Sequence, residues 1–330
     1  MTRSTCSLGL GDQCYCANHI YSFPGTEART AVLLLAHGTP DAPEEIPEYL
    51  RYVTSGRPLP PQVVEEIQHR YSLIGFSPLT CWTLRQADQL SRTLKLPVFV
   101  GMRNWHPFIA DAVNSVVNRG FEHVIAVCLA PQNSRTSVGL YRRAVVGDTA
   151  HPFALDFVEE WHDEPLLANA FAEKLRAGLD RAGAEFGSPL PVVFTAHSVP
   201  QRTITDGDPY EKQAKETAAL VAREAGLPAD RWTFAFQSQG MSGGPWIGPT
   251  VEETILGLRA KGHRGVFVHP IGFLCDHVEV LYDVDIAFRA FAEKEGMRLW
   301  RAESLNGSAT LTAALAELVQ RRIGRVVAPA

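Results

Sequence analysis

The sequence has no apolar run close to the roughly 20 residues that a membrane-spanning helix needs. Its N-terminus lacks a charged region followed by an apolar core, so we see no secretory signal and expect a cytoplasmic protein. Basic residues are not in excess, since 31 Lys and Arg stand against 36 Asp and Glu, a formal net charge of −5. This balance provides no positive field for nucleic acid or anionic lipid, and we expect neither as a partner.

Low-complexity tracts and short-period repeats are also missing. The 330 residues, 45% hydrophobic and 20% charged, suit two globular domains of about 150 residues each. Short apolar runs alternate with helical patterns, which predicts an α/β fold with parallel sheets and helices on both faces. The predicted strands are residues 30–36, 97–101, 124–129, 155–158, 191–196, 232–237, 265–271 and 297–300.

The same alternation on both sides of a Gly-Ser-Pro break at residues 187–189 predicts two doubly wound, Rossmann-like lobes with a ligand cleft between them. The predicted limits are an N-terminal extension over residues 1–29, a first lobe over 30–187 and a second lobe over 188–330. A closing helix over residues 308–320 ends the chain, and packing of this helix on the first lobe stays open.

The six cysteines fall into two groups. Three stand alone in ordered-looking segments and are expected to be reduced core thiols: Cys81, Cys128 and Cys275. Three others lie in the N-terminal extension close to His19: Cys6, Cys14 and Cys16. Thiolates at this spacing could hold zinc or an iron–sulfur cluster. The alternative, a flexible leader without a metal, is the default interpretation.

The most distinctive stretch is residues 272–285, which read GFLCDHVEVLYDVD and follow the apolar run 265–271. Its pattern predicts one helix from Asp276 to about residue 295, with Asp276 as the N-cap. Three apolar side chains at i, i+3 and i+4 spacing predict the buried stripe of this helix: Val278, Leu281 and Tyr282.

Two carboxylates of this stretch, Glu279 and Asp283, are four residues apart and project from one helix face. They repel each other unless a cation or a proton lies between them. A strand-to-helix junction is the usual place for a pocket in an α/β fold, so the pair is a candidate metal site. The alternative is that both carboxylates are simply solvated.

A histidine, His197, directly follows the predicted strand 191–196 and is expected at the carboxyl edge of the sheet. Glu279 follows another strand and is expected near the same edge. An imidazole and a carboxylate together suit ferrous iron or zinc. Taken alone, a histidine at this position is more often a structural residue with satisfied hydrogen bonds.

The segment GF-x-x-DH-x-E-x-LYD-x-D resembles the signature of the ferrochelatases, which insert ferrous iron into a porphyrin. Further motifs of that family follow in order, so that the resemblance covers roughly residues 30–320: W-x-DEP at 161–165, AHS-x-P at 196–200, GDPY at 207–210, QS-x-G at 237–240 and PW-x-GP at 245–249. The resemblance implies a porphyrin cleft, a lyase activity with His197 and Glu279 as catalytic residues, and a metal path of His197, Glu279 and Asp283. It implies Fe²⁺ as a substrate and no required cofactor.

The N-terminal half is most similar to the coproporphyrin III ferrochelatases, on the motifs HGTP at 37–40, Arg70-Tyr71 and SPL at 77–79. This implies coproporphyrin III as substrate, coproheme as product, a place in heme biosynthesis and transient contact with neighbouring enzymes of that pathway. The implied porphyrin contacts are His37, Arg70, Tyr71, Ser77, Tyr141 and Trp246. Three alternatives stay open: a protoporphyrin IX ferrochelatase, a chelatase for another metal or tetrapyrrole, and a non-catalytic tetrapyrrole carrier.

The chain departs from that branch at several positions, where Thr54 and Ser55, Asn104 and Ala287 stand in place of arginine, histidine and an acidic residue. The departure at His37 carries a prediction, because branch relatives have there a tyrosine that contacts the iron of the product. Imidazole is a good haem ligand, so we predict that His37 coordinates iron in the product complex. The alternative is a loop histidine hydrogen-bonded to backbone.

Overall fold

The computed structural model describes residues 29–147, 150–239 and 244–326, together with the backbone of the short strand Ile20–Tyr21. The chain forms two compact units. The first contains the chain up to Leu129, the stretch Ser137–Glu160 and the chain from Leu311 onward, and the second contains Ala130–Thr136 and Trp161–Thr310. Residues 161–187 thus cluster with the second unit, although the predicted limits assign them to the first lobe. The domain limits themselves stay a prediction.

The sheet of the first unit has four parallel strands and one short antiparallel edge strand, in the order β1-β3-β2-β4-β5. These strands are β1 (Ile20–Tyr21), β2 (Thr30–Ala36), β3 (Val98–Met102), β4 (His123–Cys128) and β5 (Ala154–Val158). Val32 of β2 lies between Val98 and Ile125 of its two neighbours. The central strands are buried on both faces, which explains their unbroken apolar runs.

The second unit has a sheet of four parallel strands in the order β7-β6-β8-β9. They are β6 (Val192–His197), β7 (Trp232–Gln237), β8 (Gly265–Pro270) and β9 (Arg298–Arg301). One face packs on a core that includes Val193, Val268, Val284 and Phe288. The predicted α/β fold with parallel sheets in two lobes is confirmed, and among the strands of the described residues only the two-residue β1 was missed.

Helices flank both sheets. Those of the first half are α1 (Ile46–Val53), α2 (Pro61–Ile74), α3 (Leu79–Leu94), α4 (Ile109–Asn118) and α5 (Val138–Val146). The later ones are α6 (Pro165–Phe186), α7 (Gln201–Thr205), α8 (Tyr210–Glu224), α9 (Val251–Ala260), α10 (Val278–Leu281), α11 (Arg289–Lys294) and α12 (Ala309–Val326), with a π-helix at Asp283–Phe288 and 3₁₀ turns at Pro43–Glu45 and Ala229–Arg231. Within the described part of the chain, no helix is both long and apolar enough to cross a membrane.

The distinctive stretch does not form the single helix that its pattern predicts. It forms α10, then the π-helix Asp283–Phe288, then α11. The N-cap is His277 rather than Asp276, whose carboxylate instead accepts hydrogen bonds from Ser304 and Asn306. The predicted cap is therefore wrong, because contacts from a distant loop compete for this carboxylate.

The predicted buried stripe of this stretch is also wrong. Its members are only half-buried, whereas the buried apolar positions of α10 and the π-helix are Val280, Val284 and Phe288. The π-helical turn, in which Ala287 N donates to Tyr282 O at 2.9 Å, holds more residues than an α-helical turn. Each residue of this turn therefore rotates the chain less than in an α-helix, so the side chains after Asp283 do not fall where an α-helical pattern places them.

The three cysteines predicted to be reduced core thiols differ from one another. Cys128 and Cys275 are buried free thiols, as predicted. Cys81 is disulfide-bonded, so the prediction of a reduced thiol is wrong there. A single cysteine within a helical pattern gives no sign in the sequence of a pairing partner. The predicted metal-binding candidates, Cys6, Cys14 and Cys16, lie outside the described residues.

Candidate active site

The imidazole of His197, the last residue of β6, is held from several sides. Its Nδ1 contacts the carbonyl of Ser198. Because a carbonyl oxygen only accepts, Nδ1 carries the hydrogen and Nε2 is left as the reactive nitrogen. Nε2 lies 3.3 Å from Oε1 of Glu279, and the Tyr210 hydroxyl donates to the His197 carbonyl at 3.0 Å. The strand end therefore fixes both the tautomer and the direction of the ring.

The carboxylate of Glu279, in α10, lies between two histidines. Its Oε1 faces His197, and its Oε2 lies 3.2 Å from Nε2 of His277. The other ring nitrogen of His277 is 3.0 Å from the carbonyl of Cys275, so in this imidazole too Nδ1 faces a carbonyl and Nε2 faces Glu279. Sequence reasoning did not name His277, although its place two residues before Glu279 in the signature was an available signal.

His197 and Glu279 each favour the charged form of the other. Burial lowers the pKa of His197, but the negative charge of Glu279 and its hydrogen bond outweigh burial, and the net pKa is raised. Burial raises the pKa of Glu279, but His197 and then His277 outweigh it, and the net pKa lies well below its ordinary range. The side chains are 30% and 36% exposed, so the pair is also accessible to a substrate.

Asp283 lies in the first turn of the π-helix and is 9% exposed. It accepts a hydrogen bond from the hydroxyl of Ser238, a residue in the left-handed region with φ of 60°. A non-glycine residue in that region costs free energy and is often found at functional sites. The alternative of a fully solvated carboxylate is wrong for Asp283.

The end of β7 ties this helical segment to the sheet. The side chain of Gln237 donates to the carbonyl of Glu279 at 2.9 Å and accepts from the hydroxyl of Thr195 at 2.6 Å. Gln237 is the last residue of β7, and Thr195 lies near the end of β6. Both residues are therefore at the carboxyl edge of the parallel sheet, where α/β folds bind ligands. Gln237 therefore links the strand that carries His197 to the helix that carries Glu279.

A glycine allows the close approach that brings the two catalytic candidates together. A Cβ atom on Gly272 would lie 2.8 Å from Cβ and 2.9 Å from Cα of Ala196. No side chain fits in that space, since real Cβ contacts are longer. Gly272 thus permits the chain leaving β8 to pass directly beside the end of β6.

Aromatic rings surround His197. The ring centroids of Trp246 and Phe273 lie 6.4 Å and 6.5 Å from the imidazole. Phe273 also contacts His277, with centroids 4.5 Å apart. Trp246, a predicted porphyrin contact, is thus close to the predicted catalytic histidine in the second unit.

The predicted metal path is brought together in part. His197 and Glu279 are adjacent, and Asp283 is linked to Glu279 through Gln237 and Ser238. No group of three or more histidine, cysteine, aspartate or glutamate side chains that could hold a metal ion occurs among the residues the structure describes.

His37, a predicted porphyrin contact of the first unit, directly follows β2. Its Nε2 lies 3.2 Å from the Tyr49 hydroxyl and 3.1 Å from the amide nitrogen of Asn104. Both of these partners are side chains. Asn104 stands where related sequences often have a histidine, and it supports the ring of His37 here.

The remaining predicted porphyrin contacts differ in exposure. The guanidinium of Arg70 is 40% exposed and pairs with Glu66 at 3.0 Å. Tyr71 and Tyr141 are each only 4% exposed, and the hydroxyl of Ser77 is buried and accepts from Thr39 at 3.0 Å. Their role as ligand contacts stays a prediction.

The fold and the family model together define a class, the α/β metal chelatases. The solved structure of SirB from Bacillus subtilis with Fe³⁺ shares the fold at a TM-score of 0.52, with 11% identity, over 88% of this chain and 94% of that one. The family model described as Ferrochelatase matches residues 29–323. The chain belongs to the ferrochelatase family and is a metal chelatase, a lyase.

Relatives of known name cover nearly the whole chain. A ferrochelatase of Acidobacterium capsulatum is 56% identical over 92% of this chain and 97% of its own length. One from Deinococcus radiodurans is 37% identical over 89% of this chain and 96% of its own length. A coproporphyrin III ferrochelatase of a Geobacillus species is 32% identical over 89% of this chain and 98% of its own length. The predicted family and the heme-biosynthetic role are confirmed.

Proposed function

We propose that this ferrochelatase inserts Fe²⁺ into coproporphyrin III and releases coproheme. The substrate is supported by its name in the Geobacillus relative and by the motifs at His37, Arg70 and Ser77 in the first unit. A guanidinium such as that of Arg70 binds a carboxylate through two parallel hydrogen bonds, and coproporphyrin carries its carboxylates on propionate arms. The proposed porphyrin contacts are His37, Arg70, Tyr71, Ser77, Tyr141 and Trp246.

The observation that carries the proposed mechanism is the position of Glu279 between His197 and His277. When Fe²⁺ enters a porphyrin, two pyrrole N–H bonds break and the ring nitrogens bind the metal, so two protons must leave. Each of the two imidazoles has its Nδ1 held by a carbonyl and can accept one proton at Nε2. The protonated rings then donate to the two oxygens of Glu279 before the protons pass to solvent.

The environment of His197 is suited to this role. Burial lowers the pKa of this imidazole, but the neighbouring carboxylate of Glu279 raises it on balance and so favours the imidazolium that forms when the base accepts a proton. Glu279 and His197 also offer the imidazole and carboxylate ligands that ferrous iron accepts during transfer. Asp283, held by Ser238, extends the carboxylate path along the π-helix.

The test is an anaerobic assay in which Fe²⁺ is mixed with the protein and either coproporphyrin III or protoporphyrin IX, while the Soret band is followed. We expect a higher kcat/KM with coproporphyrin III. Faster insertion into protoporphyrin IX would make the protein a protoporphyrin ferrochelatase. Binding of either porphyrin without insertion of iron would support a carrier, and faster insertion of Co²⁺ would indicate a different metal.

A further inference from the structure

Arg301, the last residue of β9, places a mostly buried guanidinium against two acids. Its side chain is 13% exposed. Nε and Nη2 donate to the two oxygens of Asp285 at 2.8 and 2.9 Å, a bidentate pair. Nη1 lies 3.4 Å from Oδ1 of Asp276 and donates to the carbonyl of Ala302 at 2.8 Å. The planar guanidinium of Arg301 therefore contacts Asp285, Asp276 and the backbone just after β9.

These two acids flank the catalytic part of the distinctive stretch. Asp276 directly precedes His277, and Asp285 lies in the π-helix just beyond Asp283. Glu279 lies between them. A fixed distance from each acid to Arg301 therefore fixes the two ends of the segment that carries Glu279.

The Asp276 end of this clamp is held by further hydrogen bonds. Its Oδ1 accepts from the Ser304 hydroxyl at 2.8 Å, and its Oδ2 accepts from the Asn306 amide at 2.8 Å. The backbone N–H of Asp276 donates to the Asn306 side-chain oxygen at 2.9 Å. These hydrogen bonds restrict the position of Asp276, so Arg301 connects the π-helix to a residue whose place is fixed.

The helical geometry of this segment changes between Glu279 and Asp283. The helix α10 has only four residues, and the next turn is π-helical, a less regular geometry often found at functional sites. A buried guanidinium with paired acids is costly to disturb, and lysine cannot reproduce its two-pronged geometry.

We propose that Arg301 is a positioning residue for iron insertion, which sets the place of the Glu279 carboxylate between His197 and His277 by holding Asp276 and Asp285 together. The inference rests on the proposed roles of His197 and Glu279. Arg301 acts through the segment and is not itself expected to contact porphyrin or iron.

The first test compares Arg301→Lys with Arg298→Lys, a matched change in the same strand at a side chain that is 55% exposed and pairs with Glu185. We expect Arg301→Lys to lower kcat by about tenfold, the usual size of the effect for groups that orient ligands. The KM for coproporphyrin III should stay close to wild type. Arg298→Lys should leave both kcat and KM unchanged.

A positioning role of Arg301 is distinguished from a purely structural one by measuring the fraction of chains that can bind porphyrin. Porphyrin fluorescence quenching gives the fraction of chains that bind coproporphyrin III, and kcat is expressed per binding chain. The inference expects this corrected kcat to remain low in Arg301→Lys. A corrected kcat equal to wild type, with the loss explained by fewer binding chains or a lower urea midpoint, would overturn it.

A second variant keeps the test decisive if Arg301→Lys does not fold. Asp276→Asn weakens one end of the clamp and preserves the bidentate pair with Asp285. Asp276→Asn should also lower the corrected kcat. In the double variant with Arg301→Lys, where it folds, the fold-decrease in corrected kcat should be smaller than the product of the two single decreases, because both residues act on one network. Wild-type kcat in Asp276→Asn would overturn the inference. Glu279→Gln is measured in parallel, because an active Glu279→Gln would instead refute the proposed catalytic roles.

Discussion

His197 Nε2 lies 3.3 Å from Glu279 Oε1, although His197 ends β6 and Glu279 follows β8. The two strands are parallel neighbours, so their carboxyl ends meet at one edge of the sheet. The pair is therefore built by strand order rather than by any local motif. Its geometry depends on the packing of the two chain segments that leave these strands.

This pair leads to the first prediction, on Glu279→Gln and His197→Ala. Glu279→Gln removes the charge that stabilises the imidazolium, and His197→Ala removes the base itself. We expect each to lower kcat for iron insertion by about 10²–10⁴, the usual contribution of a positioned acid or base. Porphyrin binding, measured by fluorescence quenching, should be largely retained.

The control for these variants is Glu303→Gln, which removes a carboxylate that pairs with Lys174 and Arg181 on the surface of the same unit. It should insert iron at the wild-type rate. Near wild-type insertion by either Glu279→Gln or His197→Ala would show that the proposed two-residue mechanism is wrong.

The sequence predicted the parts of this site that depend on strand ends. Apolar runs that stop at Ala36 and near His197 and Ile271 located the carboxyl ends of the strands. Parallel pairing then brings the strand ends of one sheet to the same edge. Because the predicted strands agree with the observed ones to within a residue or so at most ends, His197 and Glu279 could be expected together.

The sequence could not predict the parts that depend on distant contacts. Asp276 does not cap the helix, because its carboxylate accepts hydrogen bonds from Ser304 and Asn306 instead. The π-helical turn shifts the buried positions, and no periodic pattern in the sequence indicates it. Arg301 reads in the sequence as an ordinary basic residue at a strand end. Only the folded chain shows that it joins Asp276 to Asp285.

The second prediction concerns Gly272→Ala, compared with Gly257→Ala. The new Cβ at residue 272 would meet the backbone Cα of Ala196 at 2.9 Å, next to His197. Backbone cannot move aside as a flexible side chain can, so we expect the free energy of unfolding to fall by about 1–3 kcal/mol. Displacement of His197 should lower kcat as well, by about tenfold or more.

Gly257 lies on the exposed side of α9, and a Cβ there meets nothing within 4 Å. Alanine is the better helix former, so Gly257→Ala should raise the free energy of unfolding by about 0.5–1 kcal/mol and leave kcat unchanged. Urea unfolding and the iron-insertion assay measure both quantities. Equal stability of the two variants would contradict the close approach at Gly272.

The third prediction is a pH dependence caused by His269, which is 1% exposed in β8. Burial is the main cause that lowers its pKa to about 3; the hydrogen bond to the Phe171 carbonyl opposes this, and the charge of Arg301 adds to it. Below a pH of about 6.5 the unfolded chain takes up a proton at this histidine that the folded chain does not. The free energy of unfolding should therefore fall as pH falls from about 6.5 toward 3.

The variant His269→Gln tests this, because the amide can still donate to the Phe171 carbonyl at the place where Nε2 lies 3.1 Å away, yet it does not titrate. We expect its free energy of unfolding to decline less steeply with falling pH than that of wild type, by up to about 1.4 kcal/mol per pH unit. The matched control is His263→Gln at an exposed histidine, which should follow wild type. Parallel pH curves for His269→Gln and wild type would contradict the prediction.

The last prediction is that His37 coordinates iron in the product complex. Its Nε2 now lies 3.2 Å from the Tyr49 hydroxyl, so iron would have to replace this contact, and imidazole is a stronger ligand for haem iron than a neutral phenol. Absorption or resonance Raman spectra of the iron–coproporphyrin complex should then lose the histidine signature in His37→Ala. Tyr49→Phe is the matched control, since it removes the competing hydroxyl and keeps the imidazole, and it should retain that signature. Identical axial-ligand spectra in wild type and His37→Ala would refute the prediction, whatever the two proteins do in the insertion assay.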